Sequence, residues 1–406
     1  MNKDFELRKL SEVCNFQNGF AFKSNTFKDS GTPVIRITNI KNEIIDTSNV
    51  VYINPLDYNQ DLSKYEIKNN DLLIAMSGAT TGKIGIYKGN EKLLLNQRVG
   101  NFKPKDKLSK EYLFYFLLTK VEENLAISAG SAQPNLSTLQ INNFMLPLFN
   151  LDIQKQIVEI LDKAFESIEK AKVNIEKNIE NTKELFQSRL NEIFSQKGDD
   201  WEERKLRNIT TKIGSGSTPR GGQSSYKESG ISLIRSMNVH DNGFKKDKLA
   251  FIDEAQAKKL DNVTIEENDI LLNITGASVA RCCIAPKDYL PARVNQHVSI
   301  IRIKDNILFP KFLHYSLTSK ENKDNLLGIG EQGATRQAIT KVQIENFVVK
   351  FPKDINIQIK LVNELENLNE QTKQLEKHYK QKLKNLEELK KSILQKAFSG
   401  ELLNDS

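Results

Sequence analysis

The chain repeats itself, and any fold it adopts must work twice. FELRKL at 5–10 returns as WEERKL at 201–206, PVIRITNI at 33–40 as SLIRSMNV at 232–239, and NNDLLIAMSGATTGK at 69–83 as ENDILLNITGASVAR at 267–281. LNQRV at 95–99 returns as VNQHV at 294–298, INNF at 141–144 as IENF at 344–347, and IENTKELFQSRLNEIFS at 179–195 as LKNLEELKKSILQKAFS at 383–399. The order is kept and the offset drifts only from 196 to 204 residues. Two copies are too few for a solenoid, so this is one module used twice.

Each module has two parts. The first holds short Val, Ile, Leu and Phe runs broken by Gly, Asn, Asp and Pro, which predict strands, for example at 34–37, 72–76 and 270–274. KEYLFYFLLTK at 110–120 and PKFLHYSLTSK at 310–320 predict one short buried helix per copy. The second part is different: 153–194 and 357–398 contain no Gly or Pro and are rich in Glu, Lys, Leu and Gln, which predicts two long helices. Forty-two helical residues would span about 60 Å. Leu361, Leu368, Leu375 and Leu389 recur at multiples of seven, with Leu365 interleaved. Ile157, Leu161, Ala164 and Ile168 keep the 4–3 spacing in the first copy, a narrow stripe that asks for a partner helix. The predicted seam places Leu361, Leu365, Leu368 and Leu375 opposite Ile157, Leu161, Ala164 and Ile168.

The expected fold class is therefore α+β: two homologous mixed α/β domains joined by two long helices. These form an antiparallel intramolecular coiled coil with a pseudo-twofold axis. The expected division is 1–150 and 198–353 for the domains, 151–197 and 354–406 for the helices.

Charge follows this division. The net charge of +7 splits into +3 over 1–150, −3 over 151–200, +7 over 201–353 and zero over 354–406. A basic excess confined to the domains is compatible with nucleic-acid binding. The three cysteines, Cys14, Cys282 and Cys283, do not form a disulfide framework, and with no apolar leader in MNKDFELRKL the expectation is a cytoplasmic protein. Four scattered histidines give no ligand spacing, so no metal site is expected.

Catalytic motifs are missing. GATTGK at 78–83 has three residues between its glycines where a P-loop has four, and Ile84 stands where a magnesium-binding hydroxyl is needed. What remains are polar loops at matched places. They supply Lys23 and Lys28 near 18–28; Ser77, Thr80, Thr81 and Lys83; and Ser131, Gln133 and Asn135 in the first copy. The second copy supplies Ser215, Ser217, Thr218 and Arg220; Thr275, Ser278 and Arg281; and Gln332, Thr335 and Arg336. Hydroxyls, amides and Lys or Arg together suit phosphate and base-edge contacts; the same small residues are also ordinary turn formers. The recurring pairs Asn96-Gln97 and Asn295-Gln296 are read as caps of local backbone. Lys373 and Lys384, on a charge-balanced helix, are not expected at a DNA surface.

The arrangement resembles the specificity subunit of type I restriction–modification systems, over nearly all 406 residues. The resemblance rests on the repeated ERKL start with a polar loop, the ND(L/I)L…(S/T)GA loop, the Asn-Gln pair, and a long helix closing in ELxxSxL…FS. It implies a non-catalytic subunit whose two target-recognition domains each read half of a split double-stranded DNA sequence. It also implies that the helices fix the separation and that modification (methyltransferase) subunits, with restriction subunits joining through them, dock on the chain. S-adenosylmethionine, ATP and Mg would then belong to those partners, and no cofactor to this chain. Two other readings are a coiled-coil scaffold without DNA specificity and an enzyme for a phosphate ligand using the Gly/Thr loops.

Overall fold

Runs of β-branched and leucine residues bounded by Gly, Asn and Asp form short strands throughout, as their preference for a pleated, half-buried surface favours. The computed structural model describes residues 5–128, 135–195, 198, 200–331 and 337–402. The chain forms two units, residues 1–175 with 380–406 and residues 176–379. Each therefore holds one strand-rich domain and a portion of both long helices.

In the first unit a six-stranded sheet runs in the order Cys14–Asn18, Val99–Pro104, Leu72–Ala75, Ile84–Ile86, Ile44–Ile45, Ile40–Lys41. A four-stranded sheet contains Thr32–Ile35 and Leu93–Leu95 as a parallel pair, which makes it mixed. The second unit repeats the frame. Thr210–Ser215, Val298–Ile303, Ile270–Asn273 and Cys282–Ile284 form one sheet, and Ile231–Ile234 pairs parallel with Ala292–Val294 in another. Register repeats as well: Gly100 faces Ile74, and Ser299 faces Leu272. Beside the sheets, the helix predicted at 110–120 runs on as Lys110–Ser128. Its counterpart is Pro310–Thr318, followed by a second helix, Lys320–Glu331. Strands and helices are segregated within each domain, an α+β class.

The long helices span Leu151–Ser195 and Ile355–Ser399, 45 residues each. Both begin with a short polar cap: the Ile153 amide donates to Asn150 Oδ1 (2.9 Å) and the Asn356 amide to Asp354 Oδ1 (2.8 Å). A buried glutamine one turn on then locks each helix to its domain. Gln154 Nε2 donates to the carbonyls of Lys107 and Phe149, and its Oε1 accepts from the Ser109 amide. Gln358 does the same with Ile307, Pro352 and Phe309.

The apolar stripe is used differently from the simple seam expected above. In the first unit Ile157, Val158 and Leu161 share one core with Leu10, Phe102 and Leu113 of the domain, and with Leu394 and Ala397 of the second helix. With the Lys172–Glu387 ion pair (2.7 Å), this makes the helix segments antiparallel within that unit. In the second unit Leu190, Ile193 and Phe194 share a core with Leu313, Phe351, Val362 and Leu365, with Leu361 packed against it. The expected pairing is corrected accordingly: Ile157 and Leu161 are covered by the core of the first unit, and Leu361 and Leu365 pack in that of the second. Ile168 is buried, Ala164 and Leu368 are half-buried, and Leu375 and Leu389 stand 40% and 47% exposed. The physical reason is that the helix ends bury their apolar face against domain cores, where each leucine or isoleucine gains roughly 1.5–3 kcal/mol. A continuous leucine seam is then unnecessary.

Candidate nucleic-acid interface

The loops singled out by sequence meet in each unit on one rigid frame. After strand Leu72–Ala75 the chain makes a tight turn, closed by Gly82 N–H to Ala75 O (2.8 Å) and Ala75 N–H to Lys83 O (2.8 Å). Gly82 sits at φ 83°, and Ala280 takes the matching place in the second unit at φ 64°. A strand follows each turn, Ile84–Ile86 and Cys282–Ile284. Each turn holds only a single 3-10 turn, Gly78–Thr80 or Gly276–Ser278, and leads into a strand and not an α-helix, so the local geometry is not that of a P-loop.

The Asn-Gln turn lies against this loop. The Met76 amide donates to Arg98 O (2.9 Å) and the Ile274 amide to His297 O (3.0 Å). Asn96 and Asn295 are buried and close their own turns, accepting from the amides of Arg98 (3.3 Å) and His297 (3.0 Å). On the other side, Phe20 N–H donates to Leu95 O and Gln97 N–H to Phe20 O, both 2.8 Å. Gly216 N–H donates to Asn295 O (3.1 Å). Glycine is required at these crossings: a Cβ on Gly19 would lie 2.2 Å from Asn96 O, and one on Gly216 would lie 1.8 Å from Val294 O. A third loop joins through the Ser77–Asn135 and Thr275–Ala338 bridges.

The frame displays its side chains unequally. Lys23, Lys83 and Arg220 are exposed, Arg281 is half-buried, and none of the four makes a side-chain hydrogen bond or ion pair among the described residues. Lys28, by contrast, pairs with Asp57 at 2.6 Å. Asn135, Ser215 and Ser217 are exposed, and Ser278 is half-buried. Ser77 Oγ is buried without a hydrogen-bond partner, while its counterpart Thr275 bonds His297 Nδ1 at 2.5 Å. Thr80 Oγ1 donates to Ile37 O (3.3 Å). Thr218 bonds the Gln296 side-chain oxygen. Thr81 is a correction: it is fully buried and its hydroxyl closes the turn on Gly78 O (2.7 Å), so it is part of the frame. Ser131, Gln133, Gln332, Thr335 and Arg336 lie outside the described residues.

Other charged groups are structural. Asp71 accepts from Lys103 (2.8 Å) and Asn101 (2.7 Å); the equivalent Asp269, with a fully buried side chain, takes both Nε and Nη2 of Arg302 at 2.8 Å. That carboxylate raises the Arg302 pKa further above its ordinary value. Arg36 and Arg235 stack on Phe27 (5.9 Å) and Tyr226 (5.2 Å), while Asn39 and Asn238 tie down the following turns. Burial pushes the Cys14 and Cys283 thiols up to about 12 and Cys282 well above its usual range, so none is poised as a nucleophile. Among the described residues no three His, Cys, Asp or Glu side chains are placed to hold a metal ion, and no helix is long and apolar enough to cross a membrane.

The sequence reading treats the Asn-Gln pairs as caps and does not single out Arg98 or His297. Asn96 and Asn295 do cap backbone, but Gln97, Arg98 and Gln296 are exposed, and His297 is half-buried and bonded within the cluster. The signal was present: of LNQRV and VNQHV, only the residue after the Asn-Gln pair changes its chemistry.

Known proteins share this organisation. A family model described as "Type I restriction modification DNA specificity domain" matches residues 2–181 and again residues 198–385. The EcoBI specificity subunit of Escherichia coli is 27% identical over 97% of this chain and 85% of its own length. The StySPI specificity subunit of Salmonella potsdam is 25% identical over 97% and 88%. Two solved structures share the fold. One, from a study of assembly and conformational transition of the type I R-M system, has a TM-score of 0.76 at 18% identity and covers 99% of both chains. The other, the HsdS subunit from Thermoanaerobacter tengcongensis, has a TM-score of 0.62 at 18% identity, with 98% and 97% covered. With both halves matched and the duplicated loop frame in place, the chain belongs to the family of type I restriction–modification DNA specificity subunits.

Proposed function

We propose that the chain reads a bipartite, asymmetric double-stranded DNA target, one half-site per unit, and carries modification subunits to it. The observation that carries this reading is the duplicated loop cluster: one backbone frame, built twice, presents two different sets of amides, hydroxyls and unpaired cations. An identical frame with identical side chains would favour a palindrome. The names of the relatives and the basic excess of the two domains support the same reading. The helices between the domains act as the spacer and, being neutral or acidic, as the docking surface for protein partners. Restriction subunits join through the modification subunits. S-adenosylmethionine, ATP and Mg are held by those partners, and this chain contributes recognition alone.

The test is methylation mapping of the complex reconstituted with its modification subunits. The expected result is methylated adenines in two different short motifs separated by a fixed gap. One contiguous motif would refute the reading. Four residues inserted into both helices, near Asn174 and Glu376, lengthen each by about 6 Å and should widen the gap by about one or two base pairs.

A further inference from the structure

We infer that the residue after the recurring Asn-Gln pair is a specificity-determining position, and that Arg98 reads a guanine in the half-site of the first unit. This rests on the bipartite reading above and names the contact within it.

The backbone here is held rigidly from three sides. Asn96 Oδ1 accepts the Arg98 amide, Arg98 O accepts the Met76 amide, and the neighbouring Gln97 amide donates to Phe20 O. The second unit holds His297 through the same two bonds: its amide donates to Asn295 Oδ1, and its carbonyl accepts from the Ile274 amide. A position fixed in space but free in side chain is what a readout site needs, because a fixed origin turns side-chain chemistry into sequence preference.

The two side chains then part company. His297 is consumed by its surroundings: Nδ1 bonds Thr275 Oγ1 (2.5 Å), Nε2 meets Gln296 Nε2 (3.1 Å), and the Gln296 oxygen accepts from Thr218. The Gln296 amide donates to Nε2, which leaves the ring proton on Nδ1 and uses both nitrogens. Arg98 has no such neighbours. Ala21 stands where the second copy has Thr218, Ser77 Oγ is left without a partner, and the Arg98 guanidinium makes no ion pair or hydrogen bond among the described residues. It is exposed, and so are Lys83 and Lys23, unpaired cations of the same unit that suit phosphate contacts. A free, planar, five-donor fork on a rigid turn matches the O6 and N7 acceptors of guanine in the major groove; a lysine ammonium can reach the same atoms, but without the planar fork that fixes the pairing.

The experiment uses the full chain assembled with its modification subunits and a set of duplexes, each altered at one base pair of the mapped target. Arg98→Ala should lower discrimination at one guanine of the first half-site on the order of tenfold or more and leave the second half-site unchanged. Arg98→Lys should recover only part of that discrimination while keeping most of the overall affinity. The assignment is overturned if Arg98→Ala weakens all duplexes alike with the salt slope reduced by about one and Arg98→Lys restores binding, since that is a phosphate contact. Unaltered discrimination in both variants overturns it equally. Wild-type complex without two-part specificity would overturn the bipartite reading itself, which separates that failure from failure of the Arg98 contact.

Discussion

In the first unit the loop after Cys14–Asn18 is held by rings. Phe20, Phe22, Tyr58 and Tyr65 pack with centroids 4.9–5.6 Å apart, Phe22 is buried, and Thr26 Oγ1 bonds the Tyr58 hydroxyl at 2.5 Å. In the second unit the matching loop is GSGSTPRGGQSS, with no aromatic residue, and it is held by small polar bonds. Thr218 reaches Gln296, and Ser224 and Ser225 fold back on Gly221 and Gly222 at 2.7 Å. The consequence reverses at the Asn-Gln turn. Where the loop is pinned by hydrophobic packing, Arg98 is free; where the loop is polar, its hydroxyl engages Gln296 and His297 beyond it. The same frame thus carries two different sets of polar groups because the loop is anchored by different forces. Hydrophobic anchoring leaves polar groups available for a ligand, and polar anchoring spends them inside the protein.

The contrast can be broken first at the buried carboxylates. Asp269→Ala removes the fully buried partner of Arg302, a half-buried side chain that keeps Glu266 and the Thr264 carbonyl, and should cost the second unit about 3 kcal/mol. Asp71→Ala should cost the first unit less, about 1–3 kcal/mol, because Lys103 is 37% exposed and can turn to water. Hydrogen exchange resolved by peptide reads each unit separately. Equal losses would remove the claimed difference. Next, Phe22→Ala should destabilise the first unit by about 3 kcal/mol and release the loop at 19–28. Thr218→Val, which removes the polar anchor of the second loop, should cost only about 1 kcal/mol and loosen the segment at 215–225 alone.

The smallest effect is a matter of pH. All four histidines lie in the second unit, and His314 is half-buried there, its pKa lowered chiefly by desolvation. Its Nε2 lies 3.3 Å from Cys282 O, and Asp241 and Lys323 are the charges acting on it. A depressed folded pKa means that His314 contributes its full stability above the unfolded value of about 6.5. The contribution is lost as pH falls through the folded value. At pH 6 the second unit should lose less than about 1 kcal/mol, the first unit nothing from this source, and His314→Phe should abolish the difference.

Much of this was legible before any coordinates. Duplication, the long helices and the loop positions follow from order, spacing and the absence of Gly and Pro. The seam was misassigned because heptad spacing reports which face is apolar and not what covers it. Leu365 and Leu375 look alike in sequence, yet one is buried against a domain core and the other is 40% exposed. Gln154 and Gln358 recur at the offset of the helices, but a glutamine on a polar helix carries no mark of burial. Thr81 illustrates the same limit, since a hydroxyl that closes a turn and one that meets a ligand are written identically. What recurs unchanged (Asn39 and Asn238, Asn96 and Asn295) is frame, and on that frame Arg98 is exposed while His297 is half-buried and bonded within its own cluster.

The central claim is that each unit reads its own half-site independently. It is tested most directly by replacing residues 201–353 with the corresponding segment of another family member and mapping methylation by the assembled complex. The account predicts that one half of the target changes while the other half and the gap stay as they were. A change in both halves, or in neither half of a complex that still methylates, would contradict it.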